Sequence, residues 1–82
     1  MSVVDARGLR CPLPVLRLAR AAQHAAVGTE LELVATDPAA VPDVKAWARM
    51  RGHEFLGSEP YADDDGDRQA AVVVKVRVVR LT

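Results

Sequence analysis

The sequence is poor in several residues that hold small folds together or make them reactive. It has one cysteine, Cys11, so no intramolecular disulfide can form and no disulfide framework staples the chain. Aromatic residues are nearly missing, with one Trp, one Tyr and one Phe. No aromatic platform is interleaved with Lys75, Arg77 and Arg80, which argues against a surface for single-stranded nucleic acid. Net charge is also lacking: 11 Lys and Arg balance 11 Asp and Glu. A general binder of nucleic acid or of membrane surfaces would carry a basic excess. No long apolar run exists, because Lys75, Arg77 and Arg80 interrupt the Val-rich stretch 70–81 and prevent it from spanning a bilayer. Residues 1–5 show no basic-then-apolar leader pattern. These absences predict a soluble protein of the reducing cytoplasm, without direct membrane contact or strong nucleic-acid binding. His24 and His53 stand at no short metal-ligand spacing from Cys11. The acidic run 63–67 has its glycine in the wrong place for a calcium loop and reads as a solvated hairpin turn. No metal and no cofactor are expected.

What is present is enough apolar material for one core: half of the 82 residues are hydrophobic. A chain of this length makes a single domain, residues 1–82, that buries only about 60% of its unfolded surface. A surface-built site is therefore expected rather than a deep cavity. Charge is unevenly spread. Residues 1–25 hold four arginines against Asp5, residues 29–67 hold ten acids against three bases, and residues 68–82 hold four bases and no acid. Such a chain can show a basic and an acidic face to protein partners.

The hydrophobic pattern alternates between strand and helix periods. Val3-Val4 reads as a first strand, and Gly8 punctuates a turn. From Pro12, residues Val15, Leu18, Ala19, Ala22 and Ala26 recur at helical spacing, with Leu13, Arg17, Arg20 and His24 opposite; Gly28 reads as the left-handed stop. Glu30 to Thr36 alternates as a half-buried strand, with Leu31, Leu33 and Ala35 on one side. Asp37-Pro38 resembles an N-cap and a first helical proline, and a second helical face runs through Val44, Trp47 and Ala48 to Gly52. Trp47 reads as core. Pro42 sits awkwardly there, implying either a separate first turn or a kink. Residues 54–59 read as a third strand, 61–69 as a polar turn, and 70–81 as the last strand. In that strand Val72, Val74, Val76 and Val78 face inward, while Lys75 and Arg77 face outward to pair with acids such as Glu32. The fold predicted is α+β: a two-layer α/β sandwich in the order β-α-β-α-β-β. Two helices pack on one face of a four-stranded mixed sheet.

The chemistry concentrates in Gly8-Leu9-Arg10-Cys11-Pro12-Leu13-Pro14. Cys11 falls at the expected N-cap, with Pro12 and Pro14 at the first and third helical positions. Helix starts carry orphan donors, so prolines there cost the helix nothing and stiffen the turn. The Leu13 backbone N–H, the positive end of the helix and the adjacent Arg10 are expected to favour thiolate, from an ordinary cysteine pKa of about 8.5. Arg7 is a further cation within plausible reach. Cysteine is not a usual cap residue, and free cysteine is commonly buried. The alternatives are thus a reactive exposed sulfur and a cysteine that happens to start a helix. If the thiolate is already populated, no general base is needed beside it. Leu13, Arg17 and Arg20 form a mixed apolar and basic stripe beside the sulfur, expected either to meet an acidic partner surface or to be a solvated helix face.

Asp5, Gly8 and the Cys11-Pro12-Leu13-Pro14 run, followed by Gly28-Thr29, Asp37-Pro38 and Gly52-His53-Glu54, resemble the TusA/SirA/YedF family of small sulfur carriers. The resemblance covers the chain to about residue 57 and then the last strand. It implies a fold like the C-terminal domain of translation initiation factor 3. It also implies that Cys11 takes sulfane sulfur as a persulfide from a cysteine desulfurase or rhodanese and relays it to an acceptor protein, with Gly8, Pro12 and Pro14 shaping the loop. The uses it implies include tRNA thiolation, maturation of molybdenum-cofactor enzymes and sulfur oxidation. Two features depart from the pattern. Leu13 stands where tRNA-thiolating members often carry an acid, and no second cysteine lies near Ala48. The competing expectation is a non-catalytic regulatory or interaction module on the same fold, which would not depend on Cys11. An RNA-binding domain by fold analogy alone is weaker, since fold does not fix function.

Overall fold

The computed structural model describes residues 2–61 and 71–79. The element order is β1 (Ser2–Ala6), α1 (Leu13–Gln23), β2 (Glu30–Ala35), α2 (Ala40–Arg51), β3 (Glu54–Pro60) and β4 (Val72–Arg77), as the hydrophobic periods predict. The strands form one sheet in the order β1-β2-β4-β3. β1 and β2 are parallel, with Ala6 beside Ala35, and α1 supplies the crossover that parallel neighbours require. β4 runs antiparallel to both β2 and β3. Both helices lie on one face, α1 over β1 and β2 and α2 over β3 and β4.

Period-two alternation fills the covered face. Leu31, Leu33 and Ala35 of β2 and Val74 and Val76 of β4 are buried, and so is Val78 just beyond it. The helices answer with Leu18 and Ala22 from α1 and Ala40, Val44 and Ala48 from α2. Alanine at most of these helix positions lets both helices sit close to the sheet. Val72 and Trp47 pack only at the margin of this core, so Trp47 is half-buried rather than central.

The opposite sheet face is charged at one end. Arg77 bridges Glu30 on β2 (3.1 Å) and Glu54 on β3 (2.8 Å). Lys75 stands opposite Glu32 in register but forms its ion pair with Glu59, at 3.0 Å. At the other end, Val34 and Val73 are cross-strand neighbours and both buried, so that face is not wholly wet.

Two helix boundaries differ from the sequence reading: α2 starts at Ala40 with Ala39 as its cap, so Asp37-Pro38 lies in the turn before it, and the end of α1 comes early. α1 ends at Gln23, not at Gly28; the φ of +93° at Gly28 instead shapes the entry to β2, where its N–H meets the Val78 carbonyl at 2.7 Å. Gly52 is the left-handed helix stop, at φ 76° after α2. Pro42 is the third residue of α2, within the first turn, where no intrahelical donor is required, so it needs neither a separate turn nor a kink. β3 carries an irregularity between Phe55 and Gly57. The acidic run 63–67, most of the polar turn and Arg80 lie outside the described residues.

Candidate functional site

Because β1 and β2 are parallel neighbours, the loops that leave them emerge side by side. The first loop carries Gly8 to Cys11 and the second Thr36 to Ala39. Gly8 has a φ of +83°, which glycine alone adopts freely, and its N–H donates to Thr36 Oγ1 at 2.9 Å. The Cys11 N–H donates to the Asp37 carboxylate. Asp37 also accepts the Ala39 N–H on Oδ1 at 2.9 Å and the Ala40 N–H on its carbonyl at 3.0 Å. One side chain thus ties the cysteine loop to the start of α2.

Cys11 is free and exposed. It is not the helix cap: α1 begins at Leu13, Pro12 is the cap residue, and Cys11 lies one position outside. The Cys11–Pro12 peptide bond is cis. Pro14 becomes the second helical residue and is buried, anchoring the first turn. The Leu13 N–H, expected to serve the sulfur, donates instead to the Arg10 carbonyl at 2.8 Å. Arg10 lines a separate cleft with Gly8, Leu9, Thr36 and Asp37, and its charge acts on Asp37. Arg7 pairs with Asp5 at 3.0 Å and lies over the Tyr61 ring.

The sulfur therefore meets anions rather than cations. The Asp43 carboxylate beside the thiol first, then partial desolvation and the negative charges of Asp43 and Asp37, push the thiol pKa above its ordinary value. The two groups expected to favour thiolate are engaged elsewhere, the Leu13 N–H on the Arg10 carbonyl and Arg10 in the cleft beside Asp37. Sequence reasoning missed Asp43, because nothing in the spacing of the second helix marks the residue that faces the first.

Cys11 stands at one end of a groove of about 400 Å³ between the helices, lined by Leu16, Ala19, Asp43, Trp47 and Met50 among others. Leu16 and Met50 are 55% and 78% exposed, so both helices show an apolar side chain to solvent along the groove. Leu13, Arg17 and Arg20 are exposed on α1 as the helical period requires. Arg17 leans toward β1, donating to the Asp5 carbonyl at 3.3 Å. His53 is buried, with Nδ1 accepting the Val79 N–H and its ring 4.9 Å from that of Trp47. Among the described residues no cluster of three or more His, Cys, Asp or Glu side chains could hold a metal ion. No described helix is long and apolar enough to cross a membrane.

An exposed cysteine presented by a stapled loop, ahead of a proline-started helix on a β-α-β-α-β-β sandwich, defines a small single-cysteine α+β domain. The model of the family "Sulfurtransferase TusA" matches residues 2–75, and the chain belongs to that family. YrkI of Bacillus subtilis is 40% identical over 65 residues, 79% of this chain and 81% of that protein. The sulfur carrier protein TusA of Allochromatium vinosum is 41% identical over 56 residues, 68% of this chain and 74% of that one. YrkF of Bacillus subtilis is 42% identical over 57 residues, but the match spans only 31% of its length. The crystal structure of a SirA-like protein from Desulfitobacterium hafniense superposes with a TM-score of 0.71, covering 98% of this chain and all of that one. At 22% identity this likeness concerns the fold.

Proposed function

We propose that the chain is a sulfur carrier that holds sulfane sulfur as a persulfide on Cys11. A cysteine desulfurase or rhodanese supplies the sulfur, and an acceptor protein of a thiolation or cofactor-maturation pathway receives it. The observation that carries this reading is the exposed Cys11 sulfur beside the interhelical groove, on a loop fixed through Asp37. Loading needs only sulfur exchange. A bond forms between Cys11 Sγ and the terminal sulfur of the donor persulfide, and the donor's S–S bond breaks. The donor cysteine leaves as thiolate, and the Cys11 proton passes to it through solvent. No net oxidation occurs, and no cofactor is required. Gly8, Pro12 and Pro14 fix where the sulfur points. Leu13, Arg17 and Arg20 form the surface that meets the partner.

Intact mass after incubation with cysteine and a desulfurase, or with thiosulfate and a rhodanese, tests this directly. The wild type should gain one sulfur, removable by thiol reductant, and Cys11→Ser should gain none. A wild type that stays unloaded by either donor, together with a Cys11→Ser variant that retains function in the cell, would identify a non-catalytic module instead.

A further inference from the structure

The chain just beyond β4 is fastened from two sides. Val78, fully buried, gives its N–H to the Thr29 carbonyl at 2.8 Å and takes the Gly28 N–H on its own carbonyl at 2.7 Å. Val79 gives its N–H to Nδ1 of His53 at 3.2 Å. Its side chain is 44% exposed, so this bond holds Val79 more than packing does. The bonds to Gly28 and Thr29 join backbone groups, which do not titrate. The bond to His53 depends on a ring nitrogen that does. Nδ1 accepts only in the neutral imidazole with its proton on Nε2; a protonated ring presents N–H at both nitrogens.

His53 is held where it can serve this bond. It is buried, its N–H reaches the Ala48 carbonyl at 2.8 Å after the left-handed Gly52, and its ring packs on Trp47. Lys45 and Arg49 line the cleft that His53 shares with Phe55, so that cleft is basic. The acids of α2, β3 and β4 are Asp43, in the first turn of α2, and Glu54 and Glu59, which pair with Arg77 and Lys75. Arg51 ends α2.

We propose that His53 is a proton-operated latch: its neutral imidazole fastens the end of β4, and protonation of the ring releases Val79. The proton comes from solvent onto Nδ1, and the Val79 N–H passes to water. Trp47, against which the ring packs, lines the groove beside Cys11, so the latch stands behind one wall of that groove.

Amide hydrogen exchange, read residue by residue by NMR on the whole chain and compared at each pH with an unstructured chain, tests this. Opening takes up one proton wherever the freed imidazole, with its ordinary value of about 6.5, is charged and the latched ring is not. The opening constant of Val79 should therefore rise about tenfold for each pH unit from about 6.5 toward 5, and be level above about 7.5. Val79 should be less protected than Leu33 throughout, because a latch opens locally and leaves the core closed. The slope should vanish in His53→Gln, whose side chain does not titrate. It should persist in His24→Gln, which removes the exposed histidine at the end of α1. A level opening constant down to pH 5 overturns the proposal. So does a slope that survives His53→Gln or disappears in His24→Gln, or a Val79 as protected as Leu33. If His53→Gln does not fold, the wild type and His24→Gln decide the matter.

Discussion

Both helices follow one of two parallel strands, and both open at an X-Pro step: Cys11-Pro12 ahead of α1 and Asp37-Pro38 ahead of α2. Each also has a second proline inside its first turn, Pro14 and Pro42. The difference lies in the residue before the first proline. Asp37 satisfies backbone donors of its own turn and has a carboxylate oxygen left for the neighbouring loop. Cys11 satisfies none; the Leu13 N–H is bonded by the Arg10 carbonyl instead. One start supplies its own structure, and the other borrows structure and keeps its side chain free. An exposed reactive group in so small a domain can be held in place by the turn ahead of the neighbouring helix, without being buried.

The comparison can be broken most severely under α1. Leu18 is fully buried and is the largest side chain with which that helix meets the sheet. Leu18→Ala should cost about 3 kcal/mol, seen as a lower urea midpoint with little change in slope. A domain of this size has only about 4–12 kcal/mol in all, so the loss would be conspicuous. A cost near zero would mean that α1 does not hold the cysteine loop in place by packing. A smaller effect is expected on the outer face of the same helix. Reversing Arg17 and Arg20 to Glu should weaken donor binding about tenfold or more, mainly through association rate and salt dependence. Stability should change little, since both side chains are exposed. Unchanged donor affinity would return this stripe to an ordinary solvated helix face.

The sequence made the fold legible because periods of two and 3.6 alternate cleanly along it. The inward set Leu31, Leu33, Ala35, Val74, Val76 and Val78 was readable residue by residue. The end of α1 was misread because Gly28 is so strong a stop signal. Its left-handed conformation is real, but it belongs to the turn into β2, beyond a helix that has already ended at Gln23. At the site, the cysteine and its prolines stood out through local spacing. Their electrostatics did not, because the relevant groups are 26 and 32 residues away, at Asp37 and Asp43. Only the parallel pairing of β1 with β2 brings those loops together. Reading charge from sequence neighbours favoured Arg10, which in the structure acts on Asp37 rather than on the sulfur.

The smallest expected effect concerns the Asp37 carboxylate, which one helix start has and the other lacks. In the folded chain the Asp37 carboxyl lies below its ordinary value of 3.8, held down first by the Ala39 N–H, then by the Cys11 N–H, with Arg10 adding to both. A carboxyl whose pKa is depressed by folding stabilises the fold fully above its unfolded value. That contribution is lost as pH falls through the lower folded value. Asp5, held down chiefly by Arg7, contributes in the same sense. Thermal midpoints measured against pH should therefore fall more gently below about pH 4 in Asp37→Asn than in wild type, with the two curves running parallel above about pH 5. Coincident acid limbs would show that the Asp37 bonds add nothing to the fold. The sulfur supplies the complementary reading. Asp37 acts on the thiol only through its charge, the weakest of the causes that raise it, and Asp43 is the strongest. Asp37→Asn should therefore alter the acid limb and barely move the Cys11 alkylation midpoint. If the alkylation midpoint moved with the acid limb, the two helix starts would be one electrostatic unit, and Asp37 would be more than a staple for the cysteine loop.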